Sequence, residues 1–192
     1  IAGQLKDALN FALTHQFCGA NLDRAVHFAF KCAARVRNET EISKNPISVA
    51  SVAVAKAKEL VNLNDKEVVV IGAGEMGELA AKHLLQAGAK IIILNRNAAK
   101  AKELCELLGA RARYDEFERL SDYLNEYELF FSATNAKEAI ITEDLLQKRE
   151  FTRYFFDIAV PRDIDLSERE RVRVFAVDDL EDCLLYHLCD DE

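Results

Sequence analysis

The chain has 192 residues, half of them hydrophobic, which is enough for one well-packed core and a smaller appendage. Its net charge of −8 argues against broad, non-specific nucleic-acid binding while leaving a local contact with RNA open. No apolar run reaches the roughly 18 residues that a membrane span needs, so none is expected.

In chain order, residues 1 to about 36 read as helical. Leu5, Leu9, Ala12 and Leu13 form one stripe at helical spacing, and Leu22, Ala25, Val26, Ala29, Ala33 and Val36 form another. Gly19-Ala20-Asn21 separates the two as a stop and restart, with Asn21 as the expected N-cap. A polar stretch from Arg37 to Pro46 follows, the best place for a functional loop or a domain junction. An Ala/Val-rich helix is expected from Ile47 to Val61.

Strands and helices then alternate. Strands are expected at 67–71, 90–94, 110–114, 128–132, 153–158 and 172–176, and helices at 75–87, 98–108, 117–125 and 143–149. This alternation predicts an α/β fold, a doubly wound parallel sheet of the Rossmann type in the order 3-2-1-4-5-6, with its ligand across the strand C-termini. The stretch from Asp179 to Leu188 reads as a further helix that runs into an acidic end, the start of a longer one.

The strongest single motif is Val68-Val69-Val70-Ile71-Gly72-Ala73-Gly74-Glu75-Met76-Gly77, a buried-strand pattern breaking into a glycine turn that opens a helix. Gly72 allows the tight turn, Gly74 lets backbone approach a pyrophosphate, and Gly77 permits close helix–strand packing. The pyrophosphate would sit on the free N–H groups at the helix N-terminus. Lys90–Leu94 reads as the second strand, and Asn95-Arg96 occupy its tip, where an NAD site would usually place a carboxylate on the ribose 2′-hydroxyl. A guanidinium there can pair instead with a 2′-phosphate, and Lys100 and Lys102 add positive charge nearby. The residues favour NADP(H) over NAD(H); the plain alternative is that Arg96 is a solvated loop arginine.

Cys18, Cys32, Cys105, Cys183 and Cys189 show no metal-type spacing, so most are expected as small buried hydrophobes in a reducing cytosol. His15, His27, His83 and His187 fall singly on helical patterns and receive no chemistry. The opening Ile1 and the residues after it are no secretory signal, and the chain reads as the interior of a longer protein.

Several segments together resemble one family, the glutamyl-tRNA reductases. Gly3-Gln4-Leu5-Lys6 is similar to that family's glycine–glutamine–valine–lysine element. Arg35-Val36-Arg37-Asn38-Glu39-Thr40 and Pro46-Ile47-Ser48-Val49-Ala50 resemble its basic segment and following helix. The turn at 72–75, Asn95-Arg96, and Phe131-Ser132-Ala133-Thr134-Asn135 match its cofactor loops. Asp157-Ile158-Ala159-Val160-Pro161-Arg162-Asp163-Ile164-Asp165 is close to a family signature, and Val177-Asp178-Asp179-Leu180 closes the match. The glycine turn and Asn-Arg are shared with shikimate dehydrogenases; segments 35–40 and 157–165 are more specific.

The resemblance implies an NADPH-dependent enzyme of the cytoplasm that reduces glutamyl-tRNA(Glu) to glutamate-1-semialdehyde, the first step of five-carbon tetrapyrrole and heme biosynthesis. A cysteine thiolate would capture the glutamyl group as a thioester, which then accepts hydride. The family's nucleophile lies in a segment upstream of Gly3, so no catalytic residue is expected in this chain, nor turnover by it alone. Residues 1–46 would be the helical tail of the catalytic domain, 47–180 the NADPH-binding domain and 181–192 the start of a C-terminal helix.

By the same resemblance Gln4 would contact the glutamyl substrate, unless it simply begins a helix. Gly72, Ala73, Gly74, Glu75, Met76, Gly77, Asn95, Arg96, Ser132, Ala133 and Thr134 would line the cofactor site. Arg35 and Arg37 would approach substrate or the tRNA terminus, or be plain surface. Asp157 would orient the nicotinamide side or hold the 159–163 turn. Asn97 departs from the hydroxyl residue that often follows Asn-Arg. The full-length partners implied are glutamyl-tRNA, a second copy, and a downstream aminomutase. Two other readings stay open: a shikimate-type NADP-dependent dehydrogenase, and a non-catalytic NADP-sensing module. A cysteine-bearing segment upstream of Ile1 in the reading frame would separate the reductase from the module.

Overall fold

The structure, a computed structural model, describes residues 2–39 and 48–180. The chain divides into two units, residues 1–46 and 47–192. The expected helix at 179–188, with Cys183, His187 and Cys189, lies almost wholly outside the described residues.

The first unit contains α1 (Ala2–Thr14) and α2 (Ala20–Glu39). Asn21 is not the N-cap: α2 already starts at Ala20, and the carbonyl of Gly19 accepts from Leu22 and Asp23 N–H, both at 3.1 Å. Gly19 takes the capping position two residues earlier than the asparagine. Only Leu9 of the two apolar stripes is buried, and Leu5, Leu13, Leu22 and Val36 remain exposed with Phe11, Phe17 and Phe28. Two helices alone cannot cover an apolar stripe on every side. Gln4 is exposed on α1, Arg35 is exposed on α2, and of Arg37 only its place in α2 is described.

The second unit opens with α3 (Val49–Leu60). Ser48 caps it in a reciprocal pair, its Oγ accepting from Ser51 N–H at 3.1 Å and its N–H donating to Ser51 Oγ at 2.9 Å. There follow β1 (Glu67–Ile71), α4 (Glu75–Gln86), β2 (Lys90–Leu94), α5 (Ala98–Leu108), β3 (Ala112–Asp115), α6 (Leu120–Glu126), β4 (Leu129–Ser132), β5 (Ile141–Thr142), β6 (Arg153–Asp157), β7 (Ile164–Asp165) and β8 (Val172–Ala176). Six strands form one parallel sheet in the order β3-β2-β1-β4-β6-β8, the expected doubly wound arrangement.

Alternate residues of the central strands face opposite layers, as the strand period requires. Val68, Val70, Ile91, Ile93, Phe131 and Phe156 pack with residues of α3, α4 and α5; Val69, Ile71, Ile92, Leu94, Phe130 and Phe155 pack with α6. Phenylalanines ladder across both faces, Phe131 to Phe156 at 4.7 Å and Phe130 to Phe155 at 4.8 Å between ring centroids. Each such fully buried side chain contributes roughly 1.5–3 kcal/mol.

Two expectations are corrected here. The segment 143–149 is not a helix but a single 3₁₀ turn, Glu143–Leu145. Asn125 competes for its backbone: Asn125 Oδ1 accepts from Gln147 N–H at 2.8 Å, and its Nδ2 donates to Leu145 O at 2.9 Å. The two-residue strands β5 and β7, paired with each other in a separate small sheet, were not expected at all. Of the described cysteines, only Cys105 is buried, its thiol pKa raised by that burial; Cys18 is half-buried and Cys32 exposed. Among the described residues no helix is long and apolar enough to cross a membrane.

Candidate functional site

β1 and β4 are neighbours in the sheet although β2 and β3 separate them in sequence, and the crevice between their C-terminal ends is where this topology leaves room for a ligand. A cleft of about 820 Å³ opens there. Its walls come from the loops after β1, β2, β4 and β6, with Phe117 and Val177.

Gly72 starts the first wall at φ +105°, a conformation suited to glycine, and a Cβ there would lie 2.4 Å from Ala133 O. Gly74, by contrast, has nothing within 4 Å of a Cβ position: the space above it is open. It is also the N-cap of α4, and no side chain caps that helix, so the first N–H groups of α4 have no side-chain acceptor. Ala73, Glu75 and Met76 line the cleft beside it. Gly77 stands behind the turn and does not line the cleft. Open backbone donors at a helix N-terminus, with room for an anion above them, fit a pyrophosphate.

The β2 tip divides the labour between its two residues. Asn95 Oδ1 accepts from Ala73 N–H at 3.2 Å and its Nδ2 donates to Asn97 O at 2.8 Å, so Asn95 ties the glycine turn to the second strand. Arg96 is exposed in the cleft, lies over the ring of Phe117, and has Lys100 as a fellow lining residue. Asn97 is the N-cap of α5, accepting from Lys100 N–H at 3.2 Å.

The β4 loop is built on a carboxylate that the sequence reading passed over. Asp163, fully buried, accepts from Ser132 Oγ at 2.7 Å, from Thr134 N–H at 2.8 Å and from Thr134 Oγ1. Thr134 and Ala133 line the cleft, whereas Ser132 is fully buried and does not. The hydroxyls of Ser132 and Thr134 therefore serve Asp163, and Thr134 Oγ1 also accepts from Ala136 N–H at 3.1 Å. Asp157 holds the turn: its carboxylate accepts from Ala159 N–H at 3.2 Å and from Asp163 and Ile164 N–H at 3.0 Å each. Burial raises its pKa above the ordinary 3.8, against the pull of those three N–H donors. Asp163 could have been suspected from its place in the 157–165 segment; Phe117, lone between charged residues, carried no signal.

Among the described residues no cluster of histidine, cysteine and carboxylate could hold a metal. His15, His27 and His83 stay outside the cleft lining, as does Cys105.

Against known proteins, residues 53–183 match the shikimate/quinate 5-dehydrogenase family and residues 1–40 match the N-terminal domain of glutamyl-tRNA(Glu) reductase. A glutamyl-tRNA reductase of Campylobacter jejuni is 68% identical over 98% of this chain and 44% of its own length. One from Campylobacter lari is 65% identical over 98% of this chain and 43% of its own. The chain thus spans less than half the length of these relatives. Among solved structures, the glutamyl-tRNA reductase of Methanopyrus kandleri superposes with a TM-score of 0.66 at 32% identity, covering 97% of this chain and 49% of the other. The nucleotide-binding domain of the Thermoplasma volcanium glutamyl-tRNA reductase, at 15% identity and a TM-score of 0.58, shares the fold. With its two segments matched in order and nearly its whole length covered at such identity, the chain belongs to the glutamyl-tRNA reductase family, as a portion of such an enzyme.

Proposed function

We propose that the second unit binds NADPH and that the chain is the cofactor-holding part of an enzyme reducing glutamyl-tRNA(Glu) to glutamate-1-semialdehyde. The observation that carries the cofactor choice is the β2 tip: Arg96 stands exposed in the cleft where a carboxylate would otherwise read a ribose hydroxyl. Its guanidinium and Lys100 would hold a 2′-phosphate, while the backbone N–H groups of Gly74 to Met76 would face the pyrophosphate. Bound NADPH would supply the hydride. Ala133, Thr134, Ile158 and Ala159 would wall the nicotinamide end, with Asp157 and Asp163 keeping that wall in place.

The substrate reading rests on family membership. In that reading a cysteine outside this chain captures the glutamyl group as a thioester, a better hydride acceptor than a carboxylate. Gln4 would face the glutamyl group, and Arg35 and Arg37 the substrate or tRNA terminus. The work would take place in the cytoplasm, in a homodimer that hands its unstable aldehyde to an aminomutase of the tetrapyrrole route.

The test is NADPH oxidation by the full-length enzyme with glutamyl-tRNA, free glutamate and shikimate in parallel. Oxidation with glutamyl-tRNA alone is the expected result. Oxidation with shikimate would reassign the substrate, and silence with all three, with NADPH still bound, would make the chain a cofactor-sensing module.

A further inference from the structure

The cleft sits at the C-terminal ends of the strands; a second cavity lies at the other end, by the first residues of β6 and β8. It measures about 510 Å³ and its lining includes Lys148, Arg149, Arg153, Arg169 and Arg171, against the carboxylates of Glu150 and Glu170. Such a concentration of positive charge is unexpected in a chain of net charge −8. Arg169 and Arg171 are held by Glu143 and Glu150 at 2.6 and 2.5 Å.

Arg153 is different. It is only 2% exposed, and no carboxylate pairs with it among the described residues. Its Nη1 donates to Leu124 O at 3.0 Å and Asn125 Oδ1 at 3.1 Å, and its Nη2 to Gln147 O at 2.8 Å, all neutral acceptors. Its Nε is buried without any acceptor among the described residues. Arg149 likewise spends its donors on neutral oxygens, Asn125 O at 2.8 Å and Gln147 Oε1 at 2.9 Å. The C-terminal carbonyls of α6 offset part of this charge. A buried cation with a spare donor and no carboxylate bonded to it is costly unless an anion joins it.

We propose that this cavity binds a small phosphate-class anion, with Arg153 as its buried member and Lys148, Arg149 and Arg171 around it. Guanidinium forks match phosphate oxygens in pairs, and five cations against three carboxylates, Glu143 on Arg169 included, leave an excess of two charges that suits a multiply charged ligand better than a single carboxylate. The sheet separates this cavity from the glycine turn, so both sites can be filled together.

The experiment is an amide NMR titration of the 192-residue chain with inorganic pyrophosphate. Amides at 147–150 and 171–172 are expected to shift and saturate below about 1 mM, the range that a few charge-assisted contacts supply. Lys148→Gln and Arg171→Gln, both at the rim, should each weaken this response roughly tenfold or more, and Arg96→Ala should leave it unchanged. Arg153→Met, which keeps the side chain's bulk, should abolish it if the variant folds. Shifts confined to 72–77 and 95–97, a response that never saturates, or rim variants of unaltered affinity would each overturn the proposal. So would a short RNA that moves the 147–150 amides when pyrophosphate does not.

Discussion

The guanidinium carbon of Arg96 lies 5.3 Å from the centroid of the Phe117 ring. The aromatic face holds an otherwise exposed cation in the cleft, so less rotamer freedom remains to be lost when an anion arrives. Arg96→Ala should weaken NADPH binding by about 1.5–3 kcal/mol and leave NADH nearly unchanged. Titration of both nucleotides by calorimetry checks this; equal losses would refute the 2′-phosphate assignment. Phe117→Ala should give a smaller loss in the same direction.

Two glycines of one turn should respond oppositely to a side chain. A Cβ on Gly77 would lie 2.2 Å from Gly72 O, so α4 must move away from the strand, and Gly77→Ala should cost about 1–3 kcal/mol or more of folding stability. Gly74 has open space around it, so Gly74→Val should fold normally yet lose both NADPH and NADH. Urea midpoints paired with nucleotide titrations distinguish the two effects. A stable Gly77→Ala, or a Gly74→Val that still binds, would contradict the roles given to these residues.

Asp163→Asn should destabilise the second unit by about 2–3 kcal/mol, because an amide in place of one carboxylate oxygen faces a donor from Ser132 or Thr134. Ser132→Ala should cost only about 1 kcal/mol, since Thr134 still satisfies the carboxylate. Thermal unfolding of the two variants ranks them, and the reverse order would show that Asp163 is not the support of this loop.

Burial holds the carboxyl of Asp157 above its ordinary 3.8. The folded protein therefore keeps this proton more tightly than the unfolded chain does. The stability that the group contributes is complete below pH 3.8 and is lost as pH rises through the raised value. The stability difference between the wild type and Asp157→Asn should shift against the wild type over that window. Urea unfolding of both proteins at a series of pH values measures it, and a difference that stays constant would remove Asp157 as its source.

The parts of this molecule that were legible in the sequence are those governed by local pattern. Runs such as Val68–Ile71 and Lys90–Leu94 announce buried strands, the glycine spacing announces the turn, and six strands so spaced leave few arrangements of a parallel sheet. What escaped depends on long-range partners. The segment after Thr142 has a helix-like pattern, but Asn125, distant in sequence, takes its backbone hydrogen bonds. Asn95 and Arg96 read as one recognition pair, and both line the cleft, but the Asn95 amide is also tied to Ala73 and Asn97 while Arg96 is the more exposed of the two. Ser132 carried the right residue type at the right strand end, yet its hydroxyl points to a carboxylate thirty-one positions away.

Asp163 also anchors the small sheet: its carbonyl accepts from Ile140 N–H at 2.8 Å and Ile141 N–H at 3.1 Å while its carboxylate grips Ser132 and Thr134. One residue thus joins the segment after β4 to the segment after β6 through both its main chain and its side chain. These segments cannot open separately without stranding buried polar groups, so the amides of Thr134, Ile141, Asp163 and Ile164 should exchange with deuterium as one cooperative block. A ligand resting on the Ala133–Thr134 edge would then slow exchange across the whole block, at positions that it never touches.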